Sequence, residues 1–260
     1  VTPFENRKMN IALTRAPASS IIHCELTYMA REPIDFEQAR AQHQAYGAAL
    51  RACKAHVITL APLPEFPDSV FVEDNAIIFD EVAVLAPMGV ASRGGEQQQI
   101  ESEISRYHEI KKIAPPAQIE GGDVFRMGKT VWVGQSTRTN AKGAHALAQI
   151  LAPYDYRVET VAVTGCLHLK TAATALDARV LIANPEWIDT APLKNFEIIP
   201  VPRDEPWAGN VLCVNDFVLV NARCPQTIAR LRTRGYRVIA VDIGEFMKAE
   251  AGLTCLSLIF

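Results

Sequence analysis

No segment of this chain is apolar for the ~18–20 residues that a bilayer span requires, and none carries a basic stripe. Lys and Arg number 26 against 29 Asp and Glu, a formal net charge of −3. Proteins that neutralise nucleic-acid phosphates present a basic face, so neither nucleic acid nor a membrane is an expected partner. Disorder-promoting composition is also lacking: 49% of the 260 residues are hydrophobic, and 16 Pro with 14 Gly are too few for a disordered or collagen-like chain. The first ten residues, Val1 to Asn10, are polar and mixed in charge. They lack the apolar core of a secretory leader, and the missing initiator Met reads as a processed or altered end. Residues 1–9 are expected to form a flexible tail. Cys24, Cys53, Cys166, Cys213, Cys224 and Cys255 include no CxxC pair and no zinc-ligand spacing. Scattered cysteines in a chain able to build its own core read as reduced thiols of a cytoplasmic protein, each by default a small buried hydrophobe. No Gly/Ser linker interrupts the chain, so a single domain over 1–260 is expected.

What is present is a repeat. Short β-branched runs recur at 57–62, 110–115, 156–163, 196–202 and 236–241, with starts roughly 40–55 residues apart, the spacing of repeated supersecondary units. A loop rich in Pro, Gly or acidic residues follows each run. Then come paired apolar segments that read as hairpins: Ser69–Val72 with Ala76–Phe79, Val124–Phe125 with Val131–Val133, and Val211–Val214 with Phe217–Val220. The third unit fits least well, and its clearest strand is Val180–Ile182. Helical periodicity closes most units, at 36–54, 96–107, 140–151 and 225–234. Asp35 with Gln38 forms a candidate capping box, while Pro225 and Gly235 are start and stop signals. A unit of this size cannot cover its own strands, so neighbouring units must cover one another. Five units could close a ring by setting Ile11–Thr14 beside Leu256–Ile259, which would remove exposed strand edges. Unrelated elements at similar spacing in an ordinary α/β sandwich remain the alternative.

Equivalent loops of such a ring converge at one end of its axis. Those loops offer Asp68 and Glu73-Asp74, then Glu120-Gly-Gly-Asp123, then His168-Leu-Lys170, and finally Gly252-Leu-Thr-Cys255. A thiolate attacks an electrophilic carbon, an imidazole moves protons, and carboxylates hold a cation. Acidic groups would oppose a developing oxyanion, but they suit a guanidinium, whose planar N–H donors match carboxylates. Spacing leaves Cys166 as a rival nucleophile, since in an extended segment it would share a face with His168. Asp123 reads equally as a turn cap or a site residue. Arg93 and Arg138, each after Ser or Thr at a helix entrance, read more readily as solvated cations, and Trp132 and Trp187 as packing residues.

Several segments carry a resemblance in a fixed order: Thr14-Arg-Ala-Pro17, Pro67-Asp-Ser-Val-Phe-Val-Glu-Asp74, Ser92-Arg-Gly-Gly-Glu96, Glu120-Gly-Gly-Asp123, Gln135-Ser-Thr-Arg-Thr-Asn140, Leu167-His-Leu-Lys170 and Gly252-Leu-Thr-Cys-Leu-Ser-Leu258. From the first strand to the C-terminus the chain resembles the dimethylarginine dimethylaminohydrolases, within the superfamily of arginine deiminases and amidinotransferases. The resemblance implies a five-bladed α/β propeller, the pentein fold. It implies hydrolysis of methylated L-arginine to citrulline and a methylamine, a homodimer, and no metal or organic cofactor. Cys255 matches the nucleophile that forms a thiouronium intermediate, His168 the general acid and base, and Glu120 the carboxylate that supports it. Asp74 matches a carboxylate on the guanidinium nitrogens. Arg93 and Arg138 match contacts to the substrate α-carboxylate, Asp68 and Glu73 the pocket wall, and the carbonyls of Leu26 and Ala249 contacts to the α-amine. Deiminases carry a carboxylate two residues after the site histidine; Lys170 stands there and is expected to point away, favouring a methylated substrate. Leu253 and Thr254 replace the Val and Ser of many relatives. A deiminase, an amidinotransferase and a non-catalytic ribosome-binding propeller are the alternatives.

Overall fold

The five β-branched runs are strands, and each pairs in parallel with a strand that precedes it in sequence. The computed structural model describes residues 10–260, so the expected tail lies outside the described residues. The described chain opens with β1 (Ile11–Arg15), α1 (Phe36–Ala52) and β2 (His56–Leu60). A second unit comprises β3 (Ala76–Ile78), β4 (Val82–Leu85), α2 (Gln97–Ile104) and β5 (Glu109–Lys112). The third has β6 (Val124–Met127), β7 (Thr130–Gln135), α3 (Ala141–Leu151) and β8 (Arg157–Ala162). The fourth has α4 (Leu169–Ala172), β9 (Ala173–Ala175), β10 (Val180–Ala183) and β11 (Glu197–Pro200), with only a 3₁₀ turn at Ala191–Leu193 where the other units place a helix. The fifth has β12 (Leu212–Val214), β13 (Phe217–Asn221), α5 (Pro225–Thr233) and β14 (Arg237–Val241); α6 (Gly244–Met247) and β15 (Leu258–Ile259) end the chain.

These strands form five three-stranded sheets, ordered β15-β1-β2, β3-β4-β5, β6-β7-β8, β9-β10-β11 and β12-β13-β14. In each, the middle strand pairs antiparallel with the inner strand and parallel with the outer one. A parallel partner needs a crossover, which explains where the helices fall. It also moves the boundary expected between units: each β-branched run closes the preceding sheet rather than opening the next. The first hairpin shifts as well, to β3 and β4. Ser69–Val72 is apolar because it is buried as a loop, not because it is a strand.

The middle strands read as continuous apolar runs because both their faces are covered. Val82 and Val84 of β4 pack toward the third unit, whereas Ala83 and Leu85 pack toward the first. Val218 and Val220 of β13 pack on the fourth unit, and Leu219 on the first. Successive strand side chains face opposite ways, so one strand supplies two junctions. Five apolar clusters among the described residues fill the five junctions. The ring closes where Leu13 of β1 stands opposite Leu258 of β15. This is the five-bladed α/β propeller of the pentein fold. Its inner strands line an axial cavity of about 340 Å³ that reaches Glu73, Lys170 and Thr254.

Candidate active site

Each inner strand is preceded by a short turn, and those turns carry the chemistry. A 3₁₀ turn at Val72–Asn75 leads into β3, one at Gly121–Asp123 into β6, α4 into β9, and one at Thr254–Leu256 leads toward β15. The turn bearing Cys255 packs on the turn bearing Glu73 and Asp74; that turn packs on Gly121–Asp123, which in turn meets α4. Residues 181 positions apart are thereby in contact: Thr254 Oγ1 donates to Glu73 Oε2 at 2.6 Å.

Glu120 and His168 form the centre, with Oε2 2.7 Å from Nε2. The other carboxylate oxygen of Glu120 accepts the Gly89 N–H at 2.7 Å and lies 3.6 Å from Arg138 Nη1. Burial alone would raise the Glu120 carboxyl, but the His168 hydrogen bond and charge, with Arg93 and Arg138, hold it down at about 2. Burial likewise pushes His168 down, yet Asp74, Asp123 and Glu120 together outweigh it and raise the imidazole to about 9. At neutral pH the pair is therefore imidazolium and carboxylate. Gly122 lets the ring sit against the main chain, since a Cβ there would lie 2.7 Å from His168 Nδ1 and 2.8 Å from Asp74 Oδ1.

Asp74 Oδ1 lies 3.9 Å from His168 Nδ1, and Oδ2 accepts Arg93 Nη1 at 2.7 Å. Arg93 is buried, not solvated. Its remaining donors reach Glu96 at 2.9 and 3.0 Å and the Phe71 carbonyl at 3.0 Å. A buried guanidinium needs such counter-charges, and Glu96 supplies the one that the sequence reading left unassigned. Arg138 is also buried but more loosely held, with Nη2 3.4 Å from Thr27 Oγ1. Asp68 accepts the Glu25 N–H at 3.2 Å, and burial, opposed by Arg93, pushes its carboxyl up to about 6.

Lys170 does not simply turn away from the site. Its Nζ donates to Glu73 Oε1 at 2.6 Å, because a largely buried ammonium takes the nearest carboxylate as counter-ion. Glu73, expected on the pocket wall, is thereby committed to Lys170 and Thr254 at the inner end of the axial cavity. Asn210, just ahead of β12, was missed: its amide donates to the Lys170 carbonyl at 2.9 Å and to Thr254 Oγ1 at 3.0 Å. Its signal was positional, since it stands a few residues ahead of an inner strand as Asp74, Glu120, His168 and Cys255 do. Asp123 anchors the histidine segment, accepting the Leu169 N–H at 2.8 Å and the Ser136 hydroxyl at 2.6 Å.

Cys255 Sγ accepts the Gly252 N–H at 3.3 Å. Burial foremost, with the Glu73 and Asp74 charges, raises this thiol well above its ordinary value, so at rest it is protonated. Cys166 lies apart, packed among Leu169, Ala172 and Val161 with its thiol pushed up to about 12, first by burial and then by Asp123. Trp132 packs edge-on against Phe196, and Trp187 against Trp207. Leu26 and Ala249 both join the apolar cluster beside the Cys255 turn. Glu120, His168 and Cys255 are 0%, 3% and 8% exposed, so all three side chains are closed off from solvent. Asp74, Glu120 and His168 offer ligand atoms within 4.8 Å of one another.

The family model described as "N,N dimethylarginine dimethylhydrolase, eukaryotic" matches residues 27–256. The chain belongs to the dimethylarginine dimethylaminohydrolase family. It is 35% identical to the N(G),N(G)-dimethylarginine dimethylaminohydrolase of Pseudomonas aeruginosa over 95% of this chain and 98% of that protein. The Streptomyces coelicolor protein of the same name is 36% identical over 95% of each chain. A Pseudomonas aeruginosa structure, a Cys-to-Ser variant of the enzyme complexed with citrulline, superposes with a TM-score of 0.93 at 34% identity. That superposition covers 97% of this chain and all of the other. Dimethylarginine dimethylaminohydrolases are hydrolases of amidine carbon–nitrogen bonds, so the chain is assigned to that class of enzyme and not to the ribosome-binding propellers.

Proposed function

We propose that the protein hydrolyses Nω-methylated L-arginine, asymmetric dimethylarginine and monomethylarginine, to L-citrulline and dimethylamine or methylamine, with Cys255 as nucleophile. One observation carries the reading: Asp74 lies 3.9 Å from the imidazolium that Glu120 grips, and the charge of that same Asp74 also reaches the buried Cys255 thiol. The citrulline bound to the related enzyme supports the same product.

The chemistry follows from the charges. Asp74 and Glu120 hold the guanidinium, and that cation favours the Cys255 thiolate, whose proton passes to bulk solvent as substrate binds because His168 is already protonated. Sulfur attacks the guanidinium carbon. His168, already protonated, gives its proton to the departing amine nitrogen as the carbon–nitrogen bond breaks, leaving a thiouronium on Cys255. The neutral imidazole, oriented by Glu120, then takes a proton from water as its oxygen attacks the same carbon. Collapse breaks the carbon–sulfur bond and forms the citrulline carbonyl, and the proton left on the attacking oxygen passes to the departing sulfur, which restores the Cys255 thiol. Arg138, with donors not fully engaged, holds the α-carboxylate, while Arg93 stays on Asp74 and Glu96; Asp68 shapes the amino-acid side of the pocket, and the carbonyls of Leu26 and Ala249 receive the α-amine. Because Lys170 stands where deiminases place a carboxylate, and is itself neutralised by Glu73, one side of the guanidinium is left without an acidic partner and accepts methyl groups.

Citrulline release from asymmetric dimethylarginine tests the reading. Cys255→Ser is expected to lower kcat at least ~1000-fold, and a chloroacetamidine reagent to label Cys255 and not Cys166. Turnover of arginine without turnover of dimethylarginine would make the protein a deiminase, and product only with an added amine an amidinotransferase.

A further inference from the structure

Glu250 separates Ala249 from the turn that carries Cys255, and its backbone is left-handed at φ +59°, which non-glycine residues seldom adopt. Its buried carboxylate accepts main-chain N–H groups from three consecutive residues of the loop that follows Leu26, which packs on the same apolar cluster as Cys255. Thr27 donates to both oxygens at 3.0 Å, and Tyr28 and Met29 donate to Oε1. The main-chain N–H of Glu250 itself donates to the Met247 carbonyl at 3.0 Å.

A trans peptide unit is planar, with its C=O directed opposite to its N–H; among the described residues only Pro115–Pro116 is cis. The Thr27 N–H shares a plane with the Leu26 carbonyl, and the Glu250 N–H with the Ala249 carbonyl. Fixing those two N–H groups therefore fixes the direction of both carbonyls. One residue does this from two ends, through its side chain and through its own backbone. Thr27 also meets Arg138 Nη2 at 3.4 Å, so the clamped loop ties the amine contacts to the carboxylate contact.

We infer that Glu250 is the positioning residue of an α-amine subsite formed by the Leu26 and Ala249 carbonyls, and that it gives the enzyme its preference for guanidines that carry a free α-amine. The inference rests on the role proposed above for those two carbonyls. An ammonium donates in three directions, and carbonyls already aimed at it bind without the cost of ordering a loop.

The test compares wild type, Glu250→Ala and Glu250→Gln on asymmetric dimethylarginine and on its α-desamino analogue, read as kcat and KM (or as Ki where the analogue is not turned over). Glu250→Ala is expected to raise KM for dimethylarginine at least ~10-fold with kcat within ~3-fold. The same variant leaves the desamino analogue within ~3-fold of wild type. Glu250→Gln, whose amide oxygen still accepts the three N–H groups, recovers most of the KM. Equal losses on both compounds, a loss confined to kcat, or an unchanged KM overturns the inference while leaving the hydrolase reading intact. A wild-type protein that forms no citrulline overturns both.

Discussion

A histidine held among carboxylates stores a proton at the expense of the fold that holds it. In the unfolded chain an imidazole titrates near ~6.5, whereas His168 does so at about 9. Its contribution to stability is therefore complete below that lower value and is lost as pH rises toward the higher one. Glu120, depressed to about 2, contributes above the ordinary carboxylate range and loses its share only as pH falls through that value. Wild-type Tm is thus expected to fall more steeply between about pH 6.5 and 9 than that of His168→Asn, by about 2–4 °C for each kcal/mol lost. Thermal melts of both proteins across that range check it. Thiols titrate in both and cancel, and parallel slopes would refute the assignment. Residue type made this centre legible: a thiol, an imidazole and carboxylates ahead of different strands admit few other chemistries. Arg93 was legible as buried cation only with Glu96 three residues on. Glu250 was not legible, because its partners lie more than two hundred positions away.

Helix boundaries show the same division between local and distant causes. Asp35 caps α1, accepting the Gln38 N–H at 3.0 Å, but the reciprocal half of the expected capping box is taken by Glu245, which accepts the Asp35 N–H at 2.8 Å. Gly235, at φ +88°, stands beyond α5 as its sequence signal required. The short α4 carries no such signal and is fixed instead by Asp123 on the Leu169 N–H, whereas Asp242 Oδ1 accepts the Gly244 N–H at 2.9 Å where α6 begins. Asn140 is the cap that matters for the site. Its Oδ1 accepts the Gly143 N–H at 2.8 Å and the Gln118 N–H at 3.3 Å, so one side chain joins α3 to the loop leading into Glu120. Beside it Thr139 Oγ1 accepts the Glu120 N–H at 3.1 Å. Asn140→Ala is expected to cost about 1–2 kcal/mol in urea unfolding. The loss of citrulline-forming activity should exceed that of Asp35→Ala, whose helix touches neither Glu120 nor Arg138 through its cap. Equal activities for the two variants would detach α3 from the site.

Across the molecule, stability is distributed over five junctions, each filled from two neighbouring sheets. That arrangement was legible because middle strands buried on both faces leave apolar runs at a regular interval, and because the first and last strands complement each other. The unit boundaries were not, since sequence records that a run recurs but not which neighbour it pairs with. The unit around Val180–Ile182, third in the sequence pattern and fourth in the fold, fitted least because a 3₁₀ turn at Ala191–Leu193 stands where the others have a crossover helix. Leu13→Ala empties a fully buried position between the first and second sheets and is expected to cost about 2–5 kcal/mol. Urea unfolding measures it, and a value below about 1 kcal/mol would mean that the closing sheet carries little of the fold. The pairing of β1 with β15 has one more consequence. Phe260 exchanges main-chain hydrogen bonds with Ile11, donating at 2.9 Å and accepting at 2.5 Å. A bridge from Phe260 to Ile11 and a nick at the exposed Gly128–Lys129 turn would thus relocate the polypeptide's start to the opposite side of the wheel, while sulfur, imidazole and carboxylates stayed where they are.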